Sequence, residues 1–288
     1  MQPAYIVRSE INQRANNEDS FQIFSLIPGL TSSPIVILAI ADGMGGLAHG
    51  EKVSQEALKK IGLSLFEELV INRSINCLEK VSRIDTKILS QALINAIAKA
   101  NTHIRRIVEV NKWGNAGSTI VIAAILADKA IVANLGDSPL FHYQVSSGKL
   151  TQITEDHTVA GVLFRMGMIT PEMMRYHEGR NQLEFYIGAY NLPKDLPLYK
   201  LNLADGDLLL LCSDGVNGNL LHKEIADIIA DSVEDLDRIG NNLIIAANAA
   251  GSTDNQTLIL WRCQGGEKVG ERSFPQESLS VDRQVGGN

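Results

Sequence analysis

Residues 39–46 read Ala-Ile-Ala-Asp-Gly-Met-Gly-Gly, and they end an unbroken apolar run, Ile35-Val36-Ile37-Leu38-Ala39-Ile40-Ala41. A run this apolar and β-branched predicts a strand buried on both faces. It delivers one carboxylate, Asp42, into a turn rich in glycine, where Gly43, Gly45 and Gly46 permit a sharp bend and close backbone approach. A charge at the end of a buried strand is costly unless it is paired or bound to a cation. A capping Asp in a strand-ending turn accounts equally well for this stretch taken alone. The decision comes from the rest of the chain, where similar carboxylates recur.

The chain has 288 residues, 45% of them hydrophobic and 20% charged, as in a globular protein. Its formal net charge of −7 makes nucleic acid and anionic membrane poor partners. No apolar run reaches the ~18 residues of a membrane span, and Met1-Gln2-Pro3-Ala4-Tyr5 lacks the features of a signal peptide. Cys77, Cys212 and Cys263 are odd in number and far apart, which argues for a reducing compartment and against a cysteine metal site. A cytoplasmic monomer is the expectation.

Short strands are expected at 5–7 and 21–24 around the polar turn 14–20. Helices are expected over 51–70 and 87–111, where apolar residues recur at helical spacing. Three strand-like runs follow at 118–126, 130–135 and 140–145, and their short linkers suggest an antiparallel meander. Residues 155–197 read as an excursion from the core, with a small helix starting at Met166. A second buried strand, 207–212, ends in Ser213-Asp214-Gly215. Two helices, 222–231 and 235–250, precede a last strand at 255–262. This order is not βαβ repetition. It predicts an α+β fold, two antiparallel sheets packed together with helices outside. Residues 1–263 form one domain, and the Gly-, Ser- and charge-rich stretch 264–288 reads as a disordered tail.

Asp42-Gly43, Asp137 in Gly136-Asp137-Ser138, Asp214-Gly215 and Asp254-Asn255 share one local grammar: a carboxylate at a strand end. Glu18-Asp19 joins them. No histidine has zinc-type spacing, and an all-oxygen set selects Mg²⁺ or Mn²⁺. Two such ions can activate water and polarise a phosphoryl group. A single Asp-Gly is far more often a turn than a ligand, so the weight lies on the set. His103, His142, His157, His177 and His222 are expected at the surface or in turns, and Cys212 as an inert core thiol.

Six stretches carry a family resemblance: Arg14-Ala15-Asn16-Asn17-Glu18-Asp19, Ala41-Asp42-Gly43-Met44-Gly45-Gly46, Gly117-Ser118-Thr119, Gly136-Asp137-Ser138, Cys212-Ser213-Asp214-Gly215 and Asp254-Asn255. In that order they resemble the metal-dependent serine/threonine protein phosphatases of the type-2C family, in its bacterial single-domain form. The resemblance implies an α-β-β-α sandwich and hydrolysis of phosphoserine and phosphothreonine by metal-activated water, with no phospho-enzyme. It implies that Asp42 bridges two Mn²⁺ or Mg²⁺ ions, that the Gly43 carbonyl ligates one, and that Asp214 and Asp254 hold the other. Asp19, with Glu18 beside it, acts on the ions directly or through water. Arg14 binds the substrate phosphate, and Asp137 with Asp214 holds a weaker third ion. Residues from about 159 to 190 correspond to a mobile flap. The implied partners are phosphorylated proteins and an opposing protein kinase. Met44 stands where eukaryotic relatives carry a histidine and bacterial ones commonly have Met, while Leu47, Pro139 and Tyr186-Ile187-Gly188 depart from the bacterial pattern, which bears on substrate preference and not on the metal core. Two alternatives stand beside this reading: a family member serving as a binding module without catalysis, and another metal-dependent phosphoester hydrolase.

Overall fold

Side-chain alternation along two strands divides the molecule into layers. β3 (Ile35–Met44) sends Ile35, Ile37, Ala39 and Ala41 into one buried cluster, and Leu38 and Ile40 into another. β10 (Leu208–Cys212) behaves the same way, with Leu208, Leu210 and Cys212 on one side and Leu209 and Leu211 on the other. The period of two puts alternate residues on opposite faces, so each strand serves two cores. Leu38, Ile40, Leu209 and Leu211 share the central cluster between the sheets. Truncating one of these leucines to alanine costs about 2–5 kcal/mol.

The chain is seen here in a computed structural model that describes residues 4–28, 33–45, 49–72 and 84–264. Expectations placed on Gly46, Leu47, Cys77, most of the 29–34 and 72–86 loops and residues 265–288 fall outside that set. One sheet has the order β1 (Tyr5–Glu10), β11 (Gln256–Arg262), β10, β7 (Leu140–Gln144), β8 (Lys149–Gln152). The other runs β2 (Asp19–Leu26), β3, β5 (Ile120–Leu126), β6 (Lys129–Leu135), β9 (Leu198–Asn202), with the two-residue β4 (Gly117–Ser118) pairing with the end of β3. All these pairings are antiparallel. The α1 helix (His49–Phe66), which ends in a π-helical turn at Glu67–Ile71, and α2 (Thr86–Asn111) cover one sheet with Val53, Ile61, Leu93 and Ile97. Asp85 caps α2 by accepting the Ile88 N–H. The second sheet is covered by α5 (Asp214–Asn217), α6 (His222–Asp231) and α7 (Leu236–Ala249) through Val216, Ile229 and Leu243. The expected α-β-β-α sandwich is observed.

Four local expectations are corrected. The run 118–145 is not one meander, because β5 and β6 form a hairpin but β7 belongs to the other sheet. The turn Gly136-Asp137-Ser138-Pro139 therefore crosses between sheets. The strand containing Ala41 does not stop there: it continues through Asp42, Gly43 and Met44, because β4 supplies a pairing partner at Gly43 and Met44. No helix starts at Met166, which follows α3 (Val159–Arg165); the next helix, α4 (Pro171–Tyr176), starts at Pro171 with Thr170 as its cap. His142 and His157 are buried rather than superficial. His142 Nε2 lies 2.8 Å from Asp207 Oδ2, a pairing invisible in one dimension because 65 residues separate them.

Candidate metal centre

Two crossings between the sheets build the site. Residues 11–18 carry the chain from β1 to β2, and 136–139 carry it from β6 to β7. Asp19 opens β2 directly opposite Asp42 in the antiparallel register, so the two side chains share a face. Asp42 is in phase with Leu38 and Ile40, hence that face looks toward the other sheet. Ser213, in phase with Leu209 and Leu211, answers from there: its hydroxyl donates to Asp19 Oδ2 at 2.7 Å. Asp214 follows at once as the first residue of α5. Asp254 precedes β11, and its Oδ1 accepts the Asn255 N–H at 2.8 Å.

Side chains next to the carboxylates set the backbone. Asn255 Oδ1 accepts the Glu18 N–H at 2.9 Å, while its amide donates to the carbonyls of Ile11 and Asn16, each at 2.9 Å. One buried amide thus fastens the first crossing to the last strand. Thr119 Oγ1 accepts the Asp42 N–H at 3.0 Å and lies 2.7 Å from Ser138 Oγ. Gly43 donates its N–H to the Glu18 carbonyl at 3.1 Å. A β-carbon on Gly43 would fall 2.1 Å from the Gly50 carbonyl oxygen, and one on Gly215 would fall 1.9 Å from that of Asn255. Both positions demand glycine on space alone. The roles of Thr119, Ser213 and Asn255 were not read from sequence. Their signal was adjacency to the carboxylates, which does not tell a brace from a bystander.

The electrostatics are those of crowded, buried acids. Burial raises Asp19 to about 7, and Asp214 and Asp254 add to the rise against the Ser213 hydrogen bond. Asp42 is held well above the carboxylate range by burial, then by Asp19, Asp214, Asp137 and Asp254. Asp137 is raised by burial, then by Asp214 and Asp156. Asp214 is raised by burial and then Asp254. Glu18 is raised by burial, with Arg14 opposing. Asp156, absent from the sequence reading, belongs to the same field: burial lifts it to about 6 and Asp214 contributes. Arg14 lies at the mouth, half exposed, with Nη2 2.5 Å from Asp254 Oδ2. That contact holds its guanidinium even more firmly protonated.

All seven expected residues, Arg14, Glu18, Asp19, Asp42, Asp137, Asp214 and Asp254, are thus brought into one electrostatic neighbourhood. Among the described residues, however, no three Asp, Glu, His or Cys side chains are drawn in to metal-ligating distance. The Arg14–Asp254 contact opposes such closure. The fit to a cation rests on two other observations. Asp19 Oδ1 is buried with no hydrogen-bond partner, an expensive state for a carboxylate oxygen. The donors are all oxygen, which suits Mn²⁺ or Mg²⁺.

The departures at 186–188 have a structural account. Ile187 exchanges hydrogen bonds with Ser118 in β4 (2.8 and 3.0 Å), and the Gly188 N–H donates to Asn101 Oδ1 at 2.7 Å. The space above Gly117 is filled by the Tyr186 ring. Tyr186-Ile187-Gly188 therefore docks beside the end of β3.

Residues 8–247 match the family described as Protein phosphatase 2C. The chain is 30% identical to the serine/threonine phosphatase stp of Listeria welshimeri over 248 residues, 86% of this chain and 90% of that one. It is 27% identical to protein phosphatase PhpP of Streptococcus pneumoniae over 249 residues, 86% and 92% of the two chains. Among solved structures, the Mycobacterium tuberculosis serine/threonine phosphatase PstP/Ppp superposes with a TM-score of 0.73 at 26% identity, covering 90% of this chain and 98% of its own. The catalytic domain of the phosphatase PstP in complex with two manganese ions gives 0.68 at 25% identity, covering 90% and 96%. With the family match spanning most of its length and solved serine/threonine phosphatases sharing its layered fold, this chain belongs to the protein phosphatase 2C family.

Proposed function

We propose that this chain hydrolyses phosphoserine and phosphothreonine in proteins, using divalent cations held between its two sheets. The observation that carries the reading is the set of buried acids contributed by both sheets, with Asp19 Oδ1 left unpartnered. Two cations, Mn²⁺ or Mg²⁺, supply when bound the charge that activates water and polarises phosphoryl oxygens. Asp42, central among the acids, would serve both ions, and the Gly43 carbonyl one of them. Asp214 and Asp254 would hold the other, with Asp19 and Glu18 acting directly or through water. Asp137 and Asp214 would hold a weaker third ion. Once Asp254 is engaged by a cation, Arg14 is free to present two N–H groups to the substrate phosphate.

Residues 1–263 are the catalytic unit in this reading. The substrate is a phosphorylated protein, an opposing kinase supplies it in a signalling cycle, and the enzyme works as a cytoplasmic monomer. Among the described residues no helix is long and apolar enough to cross a membrane. A binding module without catalysis is disfavoured because Asp42, Asp214 and Asp254 are all present. The test is phosphate release from a phosphothreonine peptide with Mn²⁺, with Mg²⁺ and with EDTA, beside a phosphodiester dye. Metal-dependent release from the peptide and none from the dye is expected. Release unaffected by EDTA would overturn the metal reading, and preference for the dye would move the chain to another class of phosphoester hydrolase.

A further inference from the structure

His157 sits where two pieces of the molecule meet, and it touches both with defined atoms. Its Nδ1 accepts the Gly136 N–H at 3.3 Å, and its own N–H donates to the Gly136 carbonyl at 3.0 Å. Next to it, the Glu155 carbonyl accepts from Asn134 Nδ2 at 2.8 Å. These bonds pin residues 155–157 to residues 134–136, directly before Asp137. In the other direction, the His157 carbonyl accepts the Glu184 N–H at 2.7 Å, and the Phe185 ring stands edge-on to the imidazole at 5.6 Å. The ring is buried. Burial, and then Arg165, lowers its protonation to about pH 4, so at neutral pH Nδ1 is a free acceptor and Nε2 carries the proton.

The turn so held leaves little slack. Gly136 has φ +105°, and a β-carbon there would fall 2.7 Å from the Thr119 side chain. On the far side of Asp137, Ser138 Oγ lies 2.7 Å from Thr119 Oγ1, the atom that accepts the Asp42 N–H. Hydrogen bonds therefore bracket Asp137 from both sides, with His157 on one and the Thr119–Ser138 pair on the other.

We propose that His157 is a positioning residue, fixing the Gly136–Asp137 turn through Nδ1 and its main chain and tying that turn to the 184–190 limb of the flap. The proposal rests on the reading of Asp137 as a holder of the weaker ion and deepens it. The position of the flap limb and the affinity for that ion become one variable, transmitted through a single residue, by its imidazole on one side and its main-chain carbonyl on the other.

The test compares His157→Phe, which keeps an aromatic ring but removes the acceptor, with His157→Asn, whose amide oxygen takes the place of Nδ1. Mn²⁺ binding by calorimetry, phosphopeptide turnover across a Mn²⁺ titration, and amide exchange are read on the full chain. With one hydrogen bond lost, His157→Phe should weaken the low-affinity Mn²⁺ component and kcat by about tenfold. KM and the tight Mn²⁺ sites should move less than about twofold, and the Gly136, Asp137 and Glu184 amides should lose protection. His157→Asn should recover to within about threefold of wild type. A purely structural role would lower thermal stability in both variants and leave the Mn²⁺ titration of the folded protein in place. The proposal is overturned if folded His157→Phe titrates like wild type, or if His157→Asn is as impaired as His157→Phe. If His157→Phe does not fold, His157→Gln, whose oxygen falls near the Nε2 position, replaces it with the same expectations. A wild type with no phosphopeptide turnover would refute the phosphatase reading instead, and amide protection at Gly136 and Asp137 would still decide the role of His157.

Discussion

Removing metal should make this protein lose stability as pH rises through neutrality, the reverse of ordinary acid denaturation. Asp19, Asp42, Asp137 and Asp214 all have folded-state pKa values above their usual value, Asp19 at about 7. In the unfolded chain each titrates near pH 4. Between the two values the folded state binds more protons, so its stability is full below pH 4 and is lost as pH climbs through the folded pKa. His157 acts oppositely, since its folded value of about 4 lies below 6.5, and its contribution grows from pH 4 to 6.5. Between pH 6.5 and 8 the acids dominate, because His157 is neutral in the folded state and the last of its unfolded-state protonation offsets them by no more than about 0.4 kcal/mol. Each acid that keeps its proton there contributes a slope of about −1.4 kcal/mol per pH unit. Asp19 titrates inside the window and by itself accounts for a loss of about 1 kcal/mol across it, and Asp42, Asp137 and Asp214, raised in the same direction, steepen that loss. Urea unfolding in EDTA at half-unit pH steps measures it. Mn²⁺ should remove the slope and add about 2.7 kcal/mol per site at a hundred times Kd. Metal-free stability that is flat or rising from pH 6.5 to 8 would refute the picture of crowded, protonated acids.

Asp42→Asn should keep the fold and lower Mn²⁺-dependent turnover by at least about a hundredfold, more than the loss of an outer-shell metal partner; normal turnover in a folded variant would exclude a bridging role. Arg14→Ala should raise the Michaelis constant for a phosphopeptide about thirtyfold, with a smaller effect on kcat, through loss of a charge-assisted contact. Steady-state kinetics check it, and an unchanged constant would remove Arg14 from phosphate binding. Asp207→Ala leaves His142 buried without its carboxylate and frees the Val145 and Ala204 N–H groups. A cost of about 3–5 kcal/mol is expected, seen as a melting temperature lower by about 10 °C. Because the five residues of β10, about 17 Å of strand, lie between Asp207 and the Ser213-Asp214 end, the kcat of the folded fraction should not change.

Features that repeat along the chain were legible in the sequence. Ile35 to Ala41 and Leu208 to Cys212 announced themselves as strands, and the periodicity of 87–111 as a helix. The acids could be found because each stands at the end of such a run. Pairings between sheets were not legible. Nothing in Leu135-Gly136-Asp137-Ser138-Pro139 says that Leu140 leaves the sheet of Leu135, since a hairpin turn and a crossover use the same residues. β8 and β9 were missed because edge strands with exposed faces lack an apolar run. His142 and His157 were misplaced for a related reason. Their partners, Asp207 and Gly136, lie 65 and 21 residues away, and a histidine with no local partner reads as superficial.

The position of β11 bears on when the enzyme comes into being. This strand is the last among the described residues, yet it lies between β1 and β10 inside its sheet, and Asp254 and Asn255 arrive with it. Asn255 fastens the first crossing loop across 239 residues of sequence, from its amide to the carbonyl of Asn16. Contacts so distant form late, because closing the loop between them precedes any gain from them. A chain still emerging from the ribosome holds β1 without its neighbour and Asp42 without Asp254. It can bury the α1–α2 layer, but it cannot assemble the cation site until residue 262 is free to insert. A chain that stops short of β11 lacks Asp254 and leaves the facing edges of β1 and β10 unpaired, the kind of exposed strand edge that invites aggregation.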